Sequence, residues 1–361
     1  MYQTLLRAGG RDVPLVAGPE ALARLPAVLA STGFAGQLWV VADARVAILH
    51  GAILRRVLPD VPILAIPADE ASKTLQQVAQ VWDWLIEGGA QRRDALVAFG
   101  GGVVCDLVGF AAACYLRGIG LVNVPTTLLA QVDAGVGGKT AVNHPRGKNL
   151  IGAFYQPLAV VADTSFLGTL PQRAFAAGMA EVAKIAMALD ADLFAHLEHE
   201  ANALAPTAAE RLAPIVGRAI ELKASVVERD ERERGERMLL NYGHTIGHAL
   251  EAASGYSALL HGEAVAIGMH AAAHIAQRMG MLSARDAARQ RALLEALRLP
   301  IAAHGVDVDE VLARLRLDKK RAGTQQRWVL ATRVGRATVR DDVPAGLVRE
   351  AIEQVLDRMT L

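Results

Sequence analysis

The sequence predicts an α/β domain built on a doubly wound parallel sheet, followed by a helical domain. Two observations carry this. In the first half, short apolar runs alternate with helical stretches: QLWVVAD (37–43), VPILAIP (61–67), DALVAFG (94–100) and GLVNVP (120–125). Continuous apolar runs separated by helices mark parallel strands covered on both faces. After about Pro171 such runs nearly vanish, and Ala-rich, Leu-rich segments follow one another towards residue 300.

The intervening elements agree. In SKTLQQVAQVWDWLIEGG, Leu75, Val78, Val81, Trp82 and Leu85 repeat at helical spacing, and Gly88-Gly89 is a stop signal. This makes a strand-helix-strand unit of a doubly wound sheet. The second half offers QRAFAAGMAEVAKIAMAL, APTAAERLAPIVGRAIELKASVVERDERERG and GEAVAIGMHAAAHIAQRMG as helices. The last is apolar nearly all round and reads as a buried core helix rather than a membrane span. Late in the chain, QRWVLATRVGRATVR suggests a small hairpin. A length of 361 residues implies about two domains, divided as 1–170 and 171–361.

Composition excludes several classes. With 38 Lys+Arg against 37 Asp+Glu and 52% hydrophobic residues, nothing points to a nucleic-acid partner. Cys105 and Cys114 lie in one predicted helix, separated by roughly 13 Å of rise, and cannot bridge. A reducing, cytoplasmic setting is expected. The start, MYQTLLRAGGRDVPL, lacks a secretory signal pattern, and no window reaches about 18 uninterrupted apolar residues, so no membrane association is expected.

Four stretches could carry chemistry. Gly100, Gly101 and Gly102 occupy a strand-to-helix turn, where glycine lets backbone amides approach a pyrophosphate; a plain tight turn is the alternative. Asp106 could cap that helix or accept from a ribose or an amide. The stretch VPTTLLAQVDAGVGGKTAVNHPRGKNLIG (124–152) gathers Thr126, Thr127, Asp133, Lys139, Lys148 and Asn149 among glycines. Its GGKT lacks the P-loop frame, because Asp133 stands where the first glycine is required. Two lysines and several hydroxyls still suit an anionic ligand.

In GMAEVAK, Glu181 and Lys184 share one face of an otherwise apolar helix. They are a surface ion pair, or buried charges that need a partner or a metal. In NYGHTIGHALE, His244 and His248 share a helical face as in HExxH zinc sites, but Thr245 replaces the general-base glutamate. His261 and Glu263 follow in LLHGEA. Three histidines and several carboxylates could build a two-histidine, one-carboxylate metal site, and spacing alone leaves open which three. The charge run ERDERERGER (228–237) reads on pattern alone as a solvated helix end.

The runs DLVGFAAACYLRG, VPTTLLAQVDAGVGGKTAVNHPRGKNLIGAF, GMAEVAK, RMLLNYGHTIGHALE and LHGEAVAIGM together resemble the 3-dehydroquinate synthases of the sugar phosphate cyclase superfamily, over nearly the whole chain. The resemblance implies an N-terminal Rossmann-like NAD-binding α/β domain, an all-α C-terminal metal- and substrate-binding domain, and an active site in the cleft between them. It implies zinc or cobalt on Glu181, His244 and His261, with His248 near the substrate but not a ligand. NAD contacts carry over to Asp43, Asp69, Glu70, Lys73, Gly101, Gly102, Val103, Asp106, Thr126, Thr127, Leu129, Asp133, Lys139, Lys148, Phe166 and Thr169. The phosphorylated substrate would meet Arg117, Lys139, Asn149, Lys184, Lys223, Arg237, Asn241 and His248, with Lys319 or Lys320 as a further candidate. The implied reaction converts 3-deoxy-D-arabino-heptulosonate 7-phosphate to 3-dehydroquinate and phosphate through transient oxidation by NAD, phosphate elimination, re-reduction, ring opening and intramolecular aldol closure. A homodimer is the family expectation.

The sequence departs from the family pattern at Ala68-Asp69-Glu70, at Ala134-Gly135 and at Gly168, which bears on NAD contacts more than on the reacting centre. Rival readings are a sibling sugar phosphate cyclase, a metal-dependent alcohol dehydrogenase of the glycerol dehydrogenase type, and a non-catalytic ligand-binding relative. Asn149, Arg237 and His248 together favour the dehydroquinate assignment over its siblings. The retained ligand and lysine sets argue against loss of chemistry.

Overall fold

The computed structural model describes residues 1–255, 258–322 and 326–356, with the backbone alone over 317–322. It divides into two compact units, 1–171 with 205–232, and 172–204 with 233–361.

The first unit opens with an antiparallel hairpin, β1 (Tyr2–Ala8) and β2 (Arg11–Gly18), followed by α1 (Leu25–Ser31), β3 (Leu38–Asp43), α2 (Ala44–Val57), β4 (Ile63–Ile66) and α3 (Leu75–Glu87). Then come β5 (Ala95–Gly100), α4 (Gly102–Cys114), β6 (Gly120–Pro125), a second antiparallel hairpin of β7 (Lys139–His144) and β8 (Gly147–Phe154), and β9 (Ala159–Asp163). Seven strands form one sheet in the order β1-β2-β9-β6-β5-β3-β4, parallel from β2 onward. Strands β3 to β6 fall where the apolar runs predict them. Alternate side chains serve opposite faces. Trp39, Val41, Leu96 and Ala98 pack against α3 and α4 residues such as Val81 and Leu107, whereas Val40, Ala42, Val97 and Phe99 pack with Leu22, Leu25 and Leu54. Each such large apolar side chain, fully buried, contributes about 1.5–3 kcal/mol.

Helices α5 (Gln172–Leu189) and α6 (Ala191–Glu200) belong to the second unit, but α7 (Ala209–Arg229) returns to the first. An undivided helical domain over 171–361 is therefore not what forms. The physical reason is the hairpin β1/β2, which offers α7 a surface. The buried residues Leu212, Ile215, Val216, Ala219, Ile220, Val226 and Val227 follow helical spacing, and α7 packs on β1 and β2. The Tyr2 hydroxyl donates to Glu221 Oε2 at 2.5 Å.

The second unit continues with α8 (His244–Ala253), α9 (His261–Arg278), α10 (Ala284–Ala296), α11 (Val308–Ala322), a hairpin of β10 (Trp328–Arg333) and β11 (Arg336–Arg340), and α12 (Ala345–Val355). It is helical without being all-α, because the hairpin packs against α9 and α5. The expected core helix is α9, most of whose residues are buried. Among the described residues no helix is long and apolar enough to cross a membrane.

Candidate functional site

In the first unit, candidates collect at the carboxyl ends of the parallel strands, the usual ligand edge of such a sheet. Strand β5 ends at Gly100, and α4 starts at Gly102. A Cβ on Gly101 would come within 3.1 Å of Thr127 Cγ2, so the turn lies against the residues following β6. The Thr126 amide donates to Gly100 O at 2.9 Å, and its buried hydroxyl oxygen has no hydrogen-bond partner. An orphaned hydroxyl beside a glycine turn and a helix start fits a dinucleotide. Asp43 caps α2 through the Arg45 amide at 2.8 Å, and Asp69 accepts from the Ser72 amide at 2.8 Å. Glu70 accepts from Asn143 Nδ2 at 2.7 Å.

Asp106 does not cap α4. It lies in the second turn, where Lys73 donates to it at 2.5 Å and also to Asn149 Oδ1 at 2.5 Å. Burial pushes the Asp106 carboxyl up to about 6 against the pull of that ammonium. Val103 and Leu129 are half-buried. Asp133, in the turn Ala130–Ala134, is in close ion contact with Lys223 of α7, whose Nζ also donates to Asp133 O at 2.6 Å. The glycine-rich stretch is not a loose loop: β7 and β8 carry Lys139, exposed, and Lys148 and Asn149 on the opposite strand. Thr169 meets His50 Nε2 at 2.9 Å, whereas the Phe166 ring is buried against Phe99.

Arg117 is not brought to this edge. It precedes β6, so the length of the strand, roughly 20 Å, separates it from Thr126. Leu116 and Arg117 are consecutive residues at positive φ, 47° and 69°, a backbone conformation that costs on the order of 1–3 kcal/mol at each.

In the second unit, three helices converge. Glu181 and Lys184 of α5 are wholly buried and in close ion contact, which removes the surface-pair reading. Gly243, at φ 80°, turns the chain into α8; a Cβ there would sit 2.7 Å from Val265 O. Gly262 lets α9 meet α5, since its Cβ would fall 1.8 Å from Ala177 O. His244 and His261, each the first residue of its helix, are thereby aimed at Glu181. His244 Nε2 is 3.8 Å and His261 Nε2 3.5 Å from Glu181 Oε1. The ligating atoms of His244, His248 and His261 all lie within 4.8 Å of one another.

Neither Glu181 oxygen accepts a hydrogen bond of proper geometry, although both are fully buried. A divalent ion held at about 2.0–2.2 Å by the carboxylate and two imidazoles would satisfy it. His244 is buried and His248 exposed. Burial would raise the Glu181 carboxyl, but Lys184, His261 and His244 hold it well below the usual range. Burial and then Lys184 lower His244. His261 is raised to about 10, because Glu181 and Glu251 outweigh its burial.

Glu263 does not belong to the ligand set. Arg173 engages both its oxygens, at 2.6 and 2.8 Å. Arg237 is buried in the 3-10 turn Glu236–Asn241, so it leaves the solvated reading of its charge run. Asn241 donates to Glu233 at 2.5 Å. The side chains of Lys319 and Lys320 lie outside the described residues. Sequence reasoning missed Glu251, whose Oε2 is 3.1 Å from His261 Nδ1, and Glu233. Glu251 carries a usable signal, lying seven residues after His244 on the same helical face.

Residues 63–177 match the family described as 3-dehydroquinate synthase N-terminal, and residues 178–321 match its C-terminal counterpart. A 3-dehydroquinate synthase of Acidithiobacillus ferrooxidans is 43% identical over 353 residues, covering 97% of each chain. Two solved structures are similar at 31% identity. One is a 2-epi-5-epi-valiolone synthase of Streptomyces hygroscopicus with NAD+ and Zn2+ bound, with a TM-score of 0.87 over 96% of this chain and 97% of that one. The other is a 2-deoxy-scyllo-inosose synthase with carbaglucose-6-phosphate, NAD+ and Co2+, with a TM-score of 0.86 over 98% and 100%.

Proposed function

The chain belongs to the 3-dehydroquinate synthase family, and from that premise we propose how its residues carry the reaction. The activity is that of a phosphate-eliminating carbon–oxygen lyase, with 3-deoxy-D-arabino-heptulosonate 7-phosphate closing to 3-dehydroquinate on the route to chorismate. When bound, NAD takes up and returns the hydride at C5, and zinc or cobalt acts as a Lewis acid on the substrate hydroxyls.

Glu181, His244 and His261 hold the metal. The single observation that carries this is the fully buried Glu181 carboxylate, whose oxygens accept no hydrogen bond of proper geometry although Lys184 lies in ion contact, faced by two imidazole Nε2 atoms. The dinucleotide would be held by Asp43, Asp69, Glu70, Lys73, the Gly101 to Asp106 turn, Thr126, Thr127, Leu129 and Asp133, with Lys139, Lys148, Phe166 and Thr169 contributing. Lys139, Lys184, Lys223 and Arg237 neutralise the phosphate and carboxylate of the substrate and the charge that develops as phosphate leaves. Asn149 and Asn241 orient hydroxyls for closure, where holding the enolate near the carbonyl supplies much of the rate. His248, exposed beside two ligands, moves protons.

Arg117 joins a substrate site from a second copy of the chain. Its place before β6, a strand's length from Thr126, leaves it away from the ligand edge of its own sheet, which a homodimer with the arginine acting in trans would explain. The enzyme is a cytoplasmic one.

The test mixes purified protein, NAD, zinc or cobalt and the heptulosonate phosphate, and follows phosphate and dehydroquinate together. Equal formation of both without net NADH is expected. Net NADH would indicate a dehydrogenase instead, and absence of both products with metal and NAD bound would remove the assignment.

A further inference from the structure

The two histidines aimed at Glu181 are anchored differently. His244 Nδ1 faces a backbone carbonyl, Tyr242 O, at 3.3 Å. His261 Nδ1 faces a carboxylate, Glu251 Oε2, at 3.1 Å, while its Nε2 faces Glu181. Glu251 is itself buried, at 5% exposure, on α8. As the first residue of α9, His261 has no preceding helical turn to fix its ring, so its orientation depends on what its side chain touches.

We propose that Glu251 is the positioning residue of the metal centre, accepting the Nδ1 proton of His261 and so fixing the tautomer whose Nε2 lone pair faces the ion. This rests on the reading that His261 is a ligand. A neutral imidazole carries one proton, and a carboxylate at Nδ1 keeps it there, leaving Nε2 free to coordinate. The same contact fixes the ring plane and makes the imidazole a stronger donor to the metal. A carboxylate is a stronger acceptor than the carbonyl behind His244, so His261 becomes the more basic of the two imidazole ligands. One face of α8 thus carries a ligand at His244, its neighbour His248, and at Glu251 the anchor of a ligand on α9.

The experiment titrates metal-free wild type, Glu251→Gln, Glu251→Ala and His261→Ala with Zn2+ against a chromophoric chelator, and records visible spectra of the Co2+ forms. Weakening of about tenfold in Glu251→Gln and up to about 100-fold in Glu251→Ala is expected, the range seen when partners of metal-bound histidines are removed. The cobalt bands of both variants should shift, while NAD affinity and the circular dichroism of the metal-free forms stay as in wild type. If Glu251→Ala does not fold, the near-isosteric Glu251→Gln decides the question. Zinc affinity within twofold of wild type and an unchanged cobalt spectrum in Glu251→Gln would overturn the proposal. Should His261→Ala also keep its zinc, the ligand reading itself falls; should it lose zinc while the Glu251 variants keep theirs, only the anchor does.

Discussion

Lys73, buried just before α3, brings its Nζ within 2.5 Å of the Asn149 side-chain oxygen on β8. The same ammonium meets Asp106 on α4, and the Asn149 amide donates to Asn143 Oδ1 at 2.9 Å. A residue assigned to NAD therefore also holds a residue assigned to substrate. Asn149 sits at φ 55°, a conformation asparagine tolerates better than most residues, so its geometry depends on these partners.

Lys73→Met should consequently affect two ligands. Losing a hydrogen bond to a charged group costs about 1.5–3 kcal/mol, or roughly 10–100-fold in affinity. Steady-state kinetics should show a rise of about that size in the KM for heptulosonate phosphate, together with weaker NAD binding. A variant that weakens NAD alone, with the substrate KM unchanged at saturating NAD, would show that Lys73 does not organise Asn149.

His244→Ala and His248→Ala should part company. The first removes a group 3.8 Å from the buried Glu181 carboxylate, and the second an exposed ring beside it. Metal analysis after dialysis should find zinc lost from the first, with affinity down more than about 100-fold, beyond the range for groups that only support a ligand. His248→Ala should keep its zinc and turn over more slowly. Equal metal loss in both would favour the three-histidine alternative that the cluster geometry also permits.

Metal-free protein should show a pH dependence that zinc abolishes. His261 is raised from 6.5 to about 10, so the folded chain holds a proton there that the unfolded chain releases. The resulting stabilisation is fully present below pH 6.5 and is lost as pH rises through about 10. His244 acts in the opposite sense. Lowered by burial, it cannot take up the proton that the unfolded chain binds below pH 6.5, so stability falls towards acid. Melts in the presence of a chelator should therefore peak near neutrality and decline towards pH 10. Zinc displaces the His261 proton, so calorimetry in two buffers near pH 8 should register about one proton released per metal bound.

The legibility of the molecule in its sequence follows physical lines. Strands β3, β5 and β6 and helices α5 and α9 are readable because burial on both faces leaves long apolar runs, and the edge strand β4 because its run VPILAIP stays apolar though partly exposed. The hairpin β1/β2 is not, since β1 carries few β-branched residues and Arg11 and Asp12 stand in succession at the start of β2 and break its alternation. Without it the return of α7 could not be foreseen, because an amphipathic helix announces an apolar face without naming what covers it. His244 and His261 were visible as residue types. Of their anchors, the carbonyl of Tyr242 leaves no side-chain signal, while Glu251 shares the His244 face of α8 but nothing in the sequence says that His261 of α9 packs against it. The link from Lys73 to Asn149 spans 76 positions and belongs to no motif.

Gly262→Ala tests whether helix approach sets the metal geometry. The new Cβ would fall 1.8 Å from Ala177 O, a backbone atom with no flexible end to yield. Relief requires α9 to move away from α5, at a cost of about 1–3 kcal/mol or more. Since His261 and Glu181 ride on those helices, zinc affinity should fall along with the melting temperature. A variant that melts earlier but binds zinc as tightly as wild type would separate packing from ligation.

Arg117 lies at the opposite end of β6 from Thr126 and is held at φ 69°. If the arginine acts in trans, a dimer of Arg117→Ala chains and a dimer of His244→Ala chains are each inactive for different reasons. In a mixed dimer, the Arg117→Ala chain keeps its own metal ligands and receives Arg117 from its partner, so one site of two is complete. Random exchange puts unlike chains together in half of all dimers, so the mixture should recover roughly a quarter of the wild-type rate. An arginine acting within its own chain leaves both sites of the mixed dimer broken. Recovery measured after subunit exchange, with exchange verified by mass-tagged chains, therefore decides between the two, and no recovery in exchanged dimers would return Arg117 to a role in its own subunit.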